Sequence, residues 1–293
     1  MSSKYSKNKA KKSIWVLLLT LIPFIYSQNP RPKSIQVLTE NNTKIRLAFG
    51  SCFKNYIKNP DYSIFNKIAS KQPDVFLWMG DVVYLGNSFH HLPFTYRAFS
   101  KQKAVDLYNE LKFHQNYTAL DSATKIIGVW DDHDSGACDS DASNPEKEWY
   151  REKFLDFLDE DDKSPRRFQK GGMYTSYYLD PVGRFKLILM DLHFDRTEDD
   201  YLGEEQRRWL VDQIGDGRPE TFIIVSTIPL IADDRIKGDR VGKSTRRFIF
   251  ELINRRKSHC KVNFSYTCQI MWKESTRGIS LKTINFIISL VNL

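Results

Sequence analysis

The sequence predicts an α/β domain, and three observations predict it. Short apolar runs bounded by turn residues recur along the chain, as buried strands of a parallel sheet do. Segments of helical period lie between them. Each of four runs delivers a chemistry-bearing side chain just past its end, where open α/β sheets gather their ligands. The plainest instance is Phe76-Leu77-Trp78-Met79, which stops at Gly80 and is followed by Asp81 and then Tyr84. A glycine at that point lets backbone and ligand come close.

Taken in order, Gln28 to Thr43 is a polar approach, and Lys44 to Phe49 is a strand running into Gly50-Ser51-Cys52. Tyr62 to Lys71 carries Ile64, Phe65, Ile68 and Ala69 at helical spacing and stops before Pro73. With the Asp81 strand this makes a βαβ unit. Residues 96–117 read as one amphipathic helix, with Ala104, Leu107, Tyr108 and Leu111 on one face. Lys125 to Trp130 is the next strand, ending in Asp131-Asp132-His133-Asp134. A helix over Trp149 to Leu158 leads to an acidic exit, and Ser164-Pro165-Arg166-Arg167 is a turn carrying two cations.

Tyr174 to Leu179 reads as an antiparallel strand, paired through Asp180-Pro181-Val182-Gly183 with Phe185 to Met190. The second of these runs ends in Asp191 and His193. Glu204 to Ile214 is helical, Phe222 to Ser226 is a buried strand, and Phe248 to Ile253 opens another helix. Beyond about Arg256 polar and aromatic residues mix without clear period, and Leu281 to Leu293 is apolar and β-branched. Four apolar runs ending in Cys, Asp, Tyr or His suggest side chains converging on one metal centre.

Composition narrows the function. The chain has 293 residues, with hydrophobic residues at 41% and aromatics at 13%, so a substantial core is expected. The formal charge of +8 divides unevenly. Residues 1–33 carry seven Lys/Arg and no Asp/Glu; residues 34–234 carry 24 against 33; residues 235–293 carry 13 against 3. The body is acidic and both ends are basic. That distribution argues against a nucleic-acid partner and for bound cations.

Lys4, Lys7, Lys9, Lys11 and Lys12 precede an apolar run from Ile14 to Tyr26, which reads as a signal peptide or signal anchor over 1–27. The domain is expected in the secretory pathway, extracellular or lumenal, and at a membrane only if that segment is uncleaved. Asn-x-Ser/Thr sequons at Asn41, Asn116 and Asn263 agree. The four cysteines are too few for a disulfide scaffold; Cys138, Cys260 and Cys268 are free to pair, and Cys52 has a better use as a ligand.

Five ordered motifs resemble the PhoD-like alkaline phosphatase/phosphodiesterase family of the metallophosphatase (calcineurin-like) superfamily. They are Gly50-Ser51-Cys52, Gly80-Asp81-x-x-Tyr84, Trp130-Asp131-Asp132-His133-Asp134, Met190-Asp191 and Leu202-Gly203-Glu204-Glu205-Gln206, with Ser164-Pro165-Arg166-Arg167 in support. The resemblance spans roughly residues 44–254. It implies a two-sheet sandwich flanked by helices, whose second sheet is left incomplete. It divides the chain into a signal at 1–27, a partial family domain at 28–256 and a divergent basic and apolar tail at 257–293.

The resemblance also implies hydrolysis of phosphomonoesters or phosphodiesters by a metal-bound hydroxide at a binuclear centre, acting on a small phosphate ester. The metals implied are Fe3+ and a divalent ion such as Ca2+, with Zn2+, Mn2+ or Mg2+ as substitutes. Cys52 then looks like a thiolate ligand, Asp81 like the carboxylate touching both metals, and Tyr84 like a phenolate ligand. Asp132 stands where the superfamily binds metal, and His133 where it steadies the transferring phosphoryl group. Asp134 is expected to orient His133. Arg166, Arg167 and Asp191 are weaker candidates for substrate contact, since paired arginines on a turn more often answer nearby acids.

The chain departs from the family at Cys138, where relatives show Asn. More seriously, the later Gly-Asp-Val-His block is missing after Ile253, where the sequence reads Ser258-His259-Cys260-Lys261. Two further expectations follow from that gap. One is an inactive member that is cut short at its C-terminal end and lacks the last metal ligands. The other is that residues 257–293 arise from a misread coding sequence.

Overall fold

The computed structural model describes residues 36–37, 44–55, 57–87, 97–136, 139–217, 219, 221–230, 241–256, 261–266 and 286–291. The expected signal segment 1–27, Asn41, Cys138, His259, Cys260 and Cys268 lie outside them. In chain order the elements are β1 (Gln36–Val37), β2 (Lys44–Gly50), α1 (Ser63–Ala69), β3 (Val75–Met79), β4 (Gly86–Asn87) and β5 (Arg97–Ala98). Then come α2 (Lys101–Lys112), α3 (Gln115–Ala123), β6 (Lys125–Val129), a 3-10 turn (Asp132–Ser135), α4 (Lys147–Phe157) and α5 (Pro165–Phe168). The last are β7 (Thr175–Tyr178), β8 (Phe185–Leu189), α6 (Gly203–Gly215), β9 (Thr221–Ser226), α7 (Lys243–Arg256), β10 (Lys261–Tyr266) and β11 (Phe286–Val291).

Two sheets carry the fold, with the small β4-β5 pair beside them. The first has the order β11-β2-β3-β6, in which β2, β3 and β6 run parallel and β11 antiparallel. Three of the four chemistry-bearing runs therefore end side by side, as parallel strands of one sheet must. The fourth, β8, lies in the second sheet, ordered β1-β7-β8-β9-β10. There β7 and β8 form the expected antiparallel hairpin, and β8, β9 and β10 run parallel.

Side-chain alternation in the second sheet shows how the layers stack. Leu187, Leu189, Ile223 and Val225 join the core shared with β2, β3, β6 and α1 to α4. Their neighbours Ile188, Phe222 and Ile224 face the other way, into a core with Leu210 and Ile214 of α6 and Ile249 and Ile253 of α7. One face of the sheet packs inward and the other takes helices, which is a sandwich with a helical outer layer.

Local sequence explains most element ends. Ser100 caps α2 by accepting from the Lys103 amide. Residues 96–117 are not one helix, as their period suggested. The chain leaves helical geometry at His114, whose ring accepts from the Asn116 amide and so caps α3, and stacks on Tyr62 at 3.6 Å between centroids. The four expected apolar residues are still those α2 buries.

The tail also differs from its reading as aperiodic. Lys261 to Tyr266 alternates polar and apolar residues, the strand period, and pairs with β9 from Lys261↔Thr221 to Tyr266↔Ser226. Phe286 to Val291 flanks β2.

Ser164-Pro165-Arg166-Arg167 opens the short helix α5, with Ser164 as its cap and Pro165 in the first turn. Both arginines are buried. Arg166 donates to the carbonyls of Met173 and Gly128 and to Glu160. Arg167 donates to Glu152, Asp156 and the carbonyls of Asp161 and Glu160. These donors clamp the acidic exit of α4 to the end of β6, so the substrate contact expected of the pair gives way to a structural one.

Burial raises the Glu160 carboxyl, but Arg166 and Ser164 more than offset it, and the group titrates below its ordinary value. A depressed acid stabilises fully above its unfolded value and loses that contribution as pH falls through its folded one. Arg166→Ala is therefore expected to cost roughly 3–5 kcal/mol in chemical denaturation, by leaving Glu160 and two carbonyls unpaired. It should also flatten the loss of stability that wild type shows below about pH 4. A cost under about 1 kcal/mol would remove the clamp from the account.

Candidate metal centre

The centre forms where β2, β3 and β6 end. Backbone bonds tie those ends together: the Cys52 amide donates to the Gly80 carbonyl at 3.4 Å, Phe53 to Asp81 at 2.9 Å and Leu85 to His133 at 3.2 Å. Gly80 is needed for this closeness. Its φ is +80°, and a Cβ there would lie 2.4 Å from the Asp131 Cβ. Cys52 and Asp81 themselves sit in the left-handed region, at φ 58° and 52°. Strain of that kind, of order 1–3 kcal/mol per residue, persists where the surroundings impose it, often at functional sites.

Those turns bring together all five residues read as ligands or catalytic groups. Ligand atoms of Asp81, Asp132 and His133 lie within 4.8 Å of one another. On the other side, the Tyr84 hydroxyl donates to Oδ2 of Asp81 at 2.9 Å, and the Cys52 thiol reaches the same oxygen at 3.5 Å. The Tyr84 and His133 rings pack at 4.2 Å between centroids. The donor set thus has two halves, Cys52 with Tyr84 and Asp132 with His133, and Asp81 belongs to both.

Electrostatics make this cluster costly as it stands. Burial, and then Asp131, push the Asp81 carboxyl up to about 7. Burial and Asp81 hold both the Cys52 thiol and the Tyr84 phenol well above their usual values. Two protons therefore point at one carboxylate oxygen, where a cation would replace them. His133 Nδ1 is buried without a hydrogen-bond partner among the described residues. Soft and hard anionic donors around a shared carboxylate, with an imidazole nitrogen to spare, fit bound metal.

Other expectations meet corrections. Asp134 does not orient His133: its Oδ1 accepts from the Val83 amide and its Oδ2 from the Asp131 amide, so it shapes the turn. Asp191 is buried and turned to backbone, accepting from the amides of Met173, His193 and Phe194. Its role is to build the loop after β8 rather than to contact substrate. Gln206, from the Leu202-Gly203-Glu204-Glu205-Gln206 motif, holds Asp191 in turn, through its amide at 2.8 Å and its carbonyl at 2.6 Å.

Asp131 is the residue the sequence reading passed over. It meets His193 Nε2 at 2.5 Å, joining the ends of β6 and β8 across the two sheets. Burial alone would lower His193, but Asp131 raises it to about 9. The signal was available, since Asp131 adjoins Asp132 at a strand end. Side-chain order along one strand cannot say which of two adjacent carboxylates faces which neighbour.

No family model matches this sequence, and no curated protein does. Among solved structures, that of PhoD is similar, with a TM-score of 0.57 at 14% identity, covering 78% of this chain and 52% of PhoD. The chain has the fold of PhoD, an α/β sandwich of two sheets flanked by helices, and spans about half of PhoD's length. A dimetal phosphatase from Danio rerio is also similar, with a TM-score of 0.45 at 14% identity, covering 75% of this chain and 80% of that one.

Asp81→Asn separates the cost of the cluster from its use. In chelator the variant should melt at or above wild type, since one of several crowded carboxylates is gone. With divalent cation at 100 times its Kd, wild type should gain about 2.7 kcal/mol and the variant little. Equal gains in the two proteins would mean that the cation binds elsewhere.

Proposed function

We propose that the chain is a metal-dependent phosphatase or phosphodiesterase of the PhoD-like kind, acting on small phosphate esters. The observation that carries this reading is the convergence of Cys52, Asp81, Tyr84, Asp132 and His133 on one strand-end site. The PhoD fold supports it. Asp81 would be shared between two cations, with Cys52 and Tyr84 completing one side and Asp132 the other. From the family resemblance we assign Fe3+ to the thiolate and phenolate side and a divalent ion such as Ca2+ to the other. Cations held there supply Lewis-acid polarisation of phosphoryl oxygens and lower the pKa of bound water.

The residues have separate tasks in this scheme. His133, buried against Tyr84, would meet the phosphoryl oxygen on which charge develops. Asp132, whose Oδ2 accepts from the Asp139 amide at 2.7 Å, keeps its other oxygen for the site. Cys52 and Tyr84 would give up their protons on loading, so binding should release protons to solvent. A net-acidic body supports a small anionic ester brought in by cations rather than a nucleic acid.

The second reading, an inactive member lacking its last ligands, keeps its own support. The chain reads Ser258-His259-Cys260-Lys261 after Ile253, where the family resemblance leads one to expect Gly-Asp-Val-His. We further place the domain in the secretory pathway, on the support of the basic and apolar N-terminal segment and the sequons. A mobility shift on endoglycosidase treatment of protein from secreting cells is expected, with Asn116 among the sites.

Metal content by mass spectrometry on soluble protein lacking residues 1–27 decides between active and inactive readings. Two equivalents including iron, with hydrolysis of bis(p-nitrophenyl) phosphate, are expected. His133→Ala should then lower kcat by about 100- to 10,000-fold. One equivalent or none, without turnover, would leave the inactive reading standing.

A further inference from the structure

His193 lies outside the ligand set, yet it touches both ends of the segment that carries half of it. Its Nε2 meets Asp131 Oδ1 at 2.5 Å, and its Nδ1 meets the Ser140 carbonyl oxygen at 3.1 Å. A carbonyl oxygen only accepts, so Nδ1 carries a proton and donates it.

The contacts also fix geometry. Asp131 precedes Asp132 directly, and Ser140 follows Asp139, whose amide holds Asp132 Oδ2. The imidazole therefore closes the loop from 131 to 140 as a strut driven in from the end of β8. The strut is itself held, because Asp191 Oδ1 accepts from the His193 amide at 3.0 Å and Gln206 grips Asp191. The line runs Gln206, Asp191, His193, then Asp131 and Ser140, and ends on Asp132 and His133. By contrast, Cys52 and Tyr84 sit past the β2 and β3 ends, and Tyr84 meets that line at its far end, on the His133 ring.

We propose that His193 is a positioning residue for the Asp132–His133 half of the metal centre, an inference that rests on the metal-centre reading above. It aligns that half through Asp131 and Ser140, the two ends of its segment. A strut with only a structural role would affect both halves together, through general loosening of the fold.

The test uses the full chain without residues 1–27 and Co2+ as the probe. Thiolate-to-cobalt absorption reports Cys52, and equilibrium dialysis counts both equivalents. His193→Ala is expected to weaken one equivalent by about 10- to 100-fold while the thiolate band persists. His193→Gln keeps a donor suited to Asp131, and His193→Asn one suited to Ser140, so each should show a smaller loss. These two variants give the answer if the alanine variant does not fold. Equal weakening of both equivalents, loss of the thiolate band or unchanged binding would each overturn the proposal. Wild type that binds no Co2+ at all would sink the metal-centre reading and this proposal with it.

Discussion

Crowding several carboxylates at the end of one sheet is the constraint from which the rest of this structure follows. Asp81 and Asp131 are buried, Asp132 is partly so, and a thiol and a phenol lean on the same Asp81 oxygen. Water is too scarce there to stabilise charge, and burial holds the Asp81 carboxyl above its ordinary value. The cluster holds because surrounding backbone leaves it little choice. Amide-to-carbonyl bonds join the three strand ends, and a glycine lets Asp131 approach where any side chain would collide.

The neighbouring polar groups make sense as answers to that constraint. Arg166 and Arg167 satisfy acids and carbonyls at the exit of α4, which fixes the β6 end from behind. Gln206 and Asp191 organise the loop after β8, and His193 carries that order across to the other sheet. Buried polar networks are rigid only when every member is satisfied. Here Arg166, Arg167, Asp191 and Gln206 all find partners, while His133 Nδ1 at the centre has none among the described residues.

The strand order and most of the site were legible in the residues because apolar runs, turn glycines and strand-end ligands are local signals. Cys52, Asp81, Tyr84, Asp132 and His133 were readable for that reason. Partner choice was not. Nothing local tells Asp134 to serve two amides, or turns Asp191 toward backbone while Asp131 takes the histidine. The break at His114 was hidden too, because it depends on a ring that caps one helix and stacks on Tyr62 far away in sequence. β10, like Asp131, was legible and overlooked, since Lys261 to Tyr266 alternates plainly.

The pairing of β11 with β2 has a consequence for how the molecule is made. Phe49 takes Phe286 as its partner, so the strand leading to Cys52 waits for a segment made long after it. Until then β2 has β3 on one side and a bare row of amides and carbonyls on the other. Contacts that span so much of a chain form slowly, because the loop must close before any bond rewards it. Synthesis thus leaves a sticky edge next to the thiol until that segment emerges, and a chaperone that shields extended strands would find its substrate there.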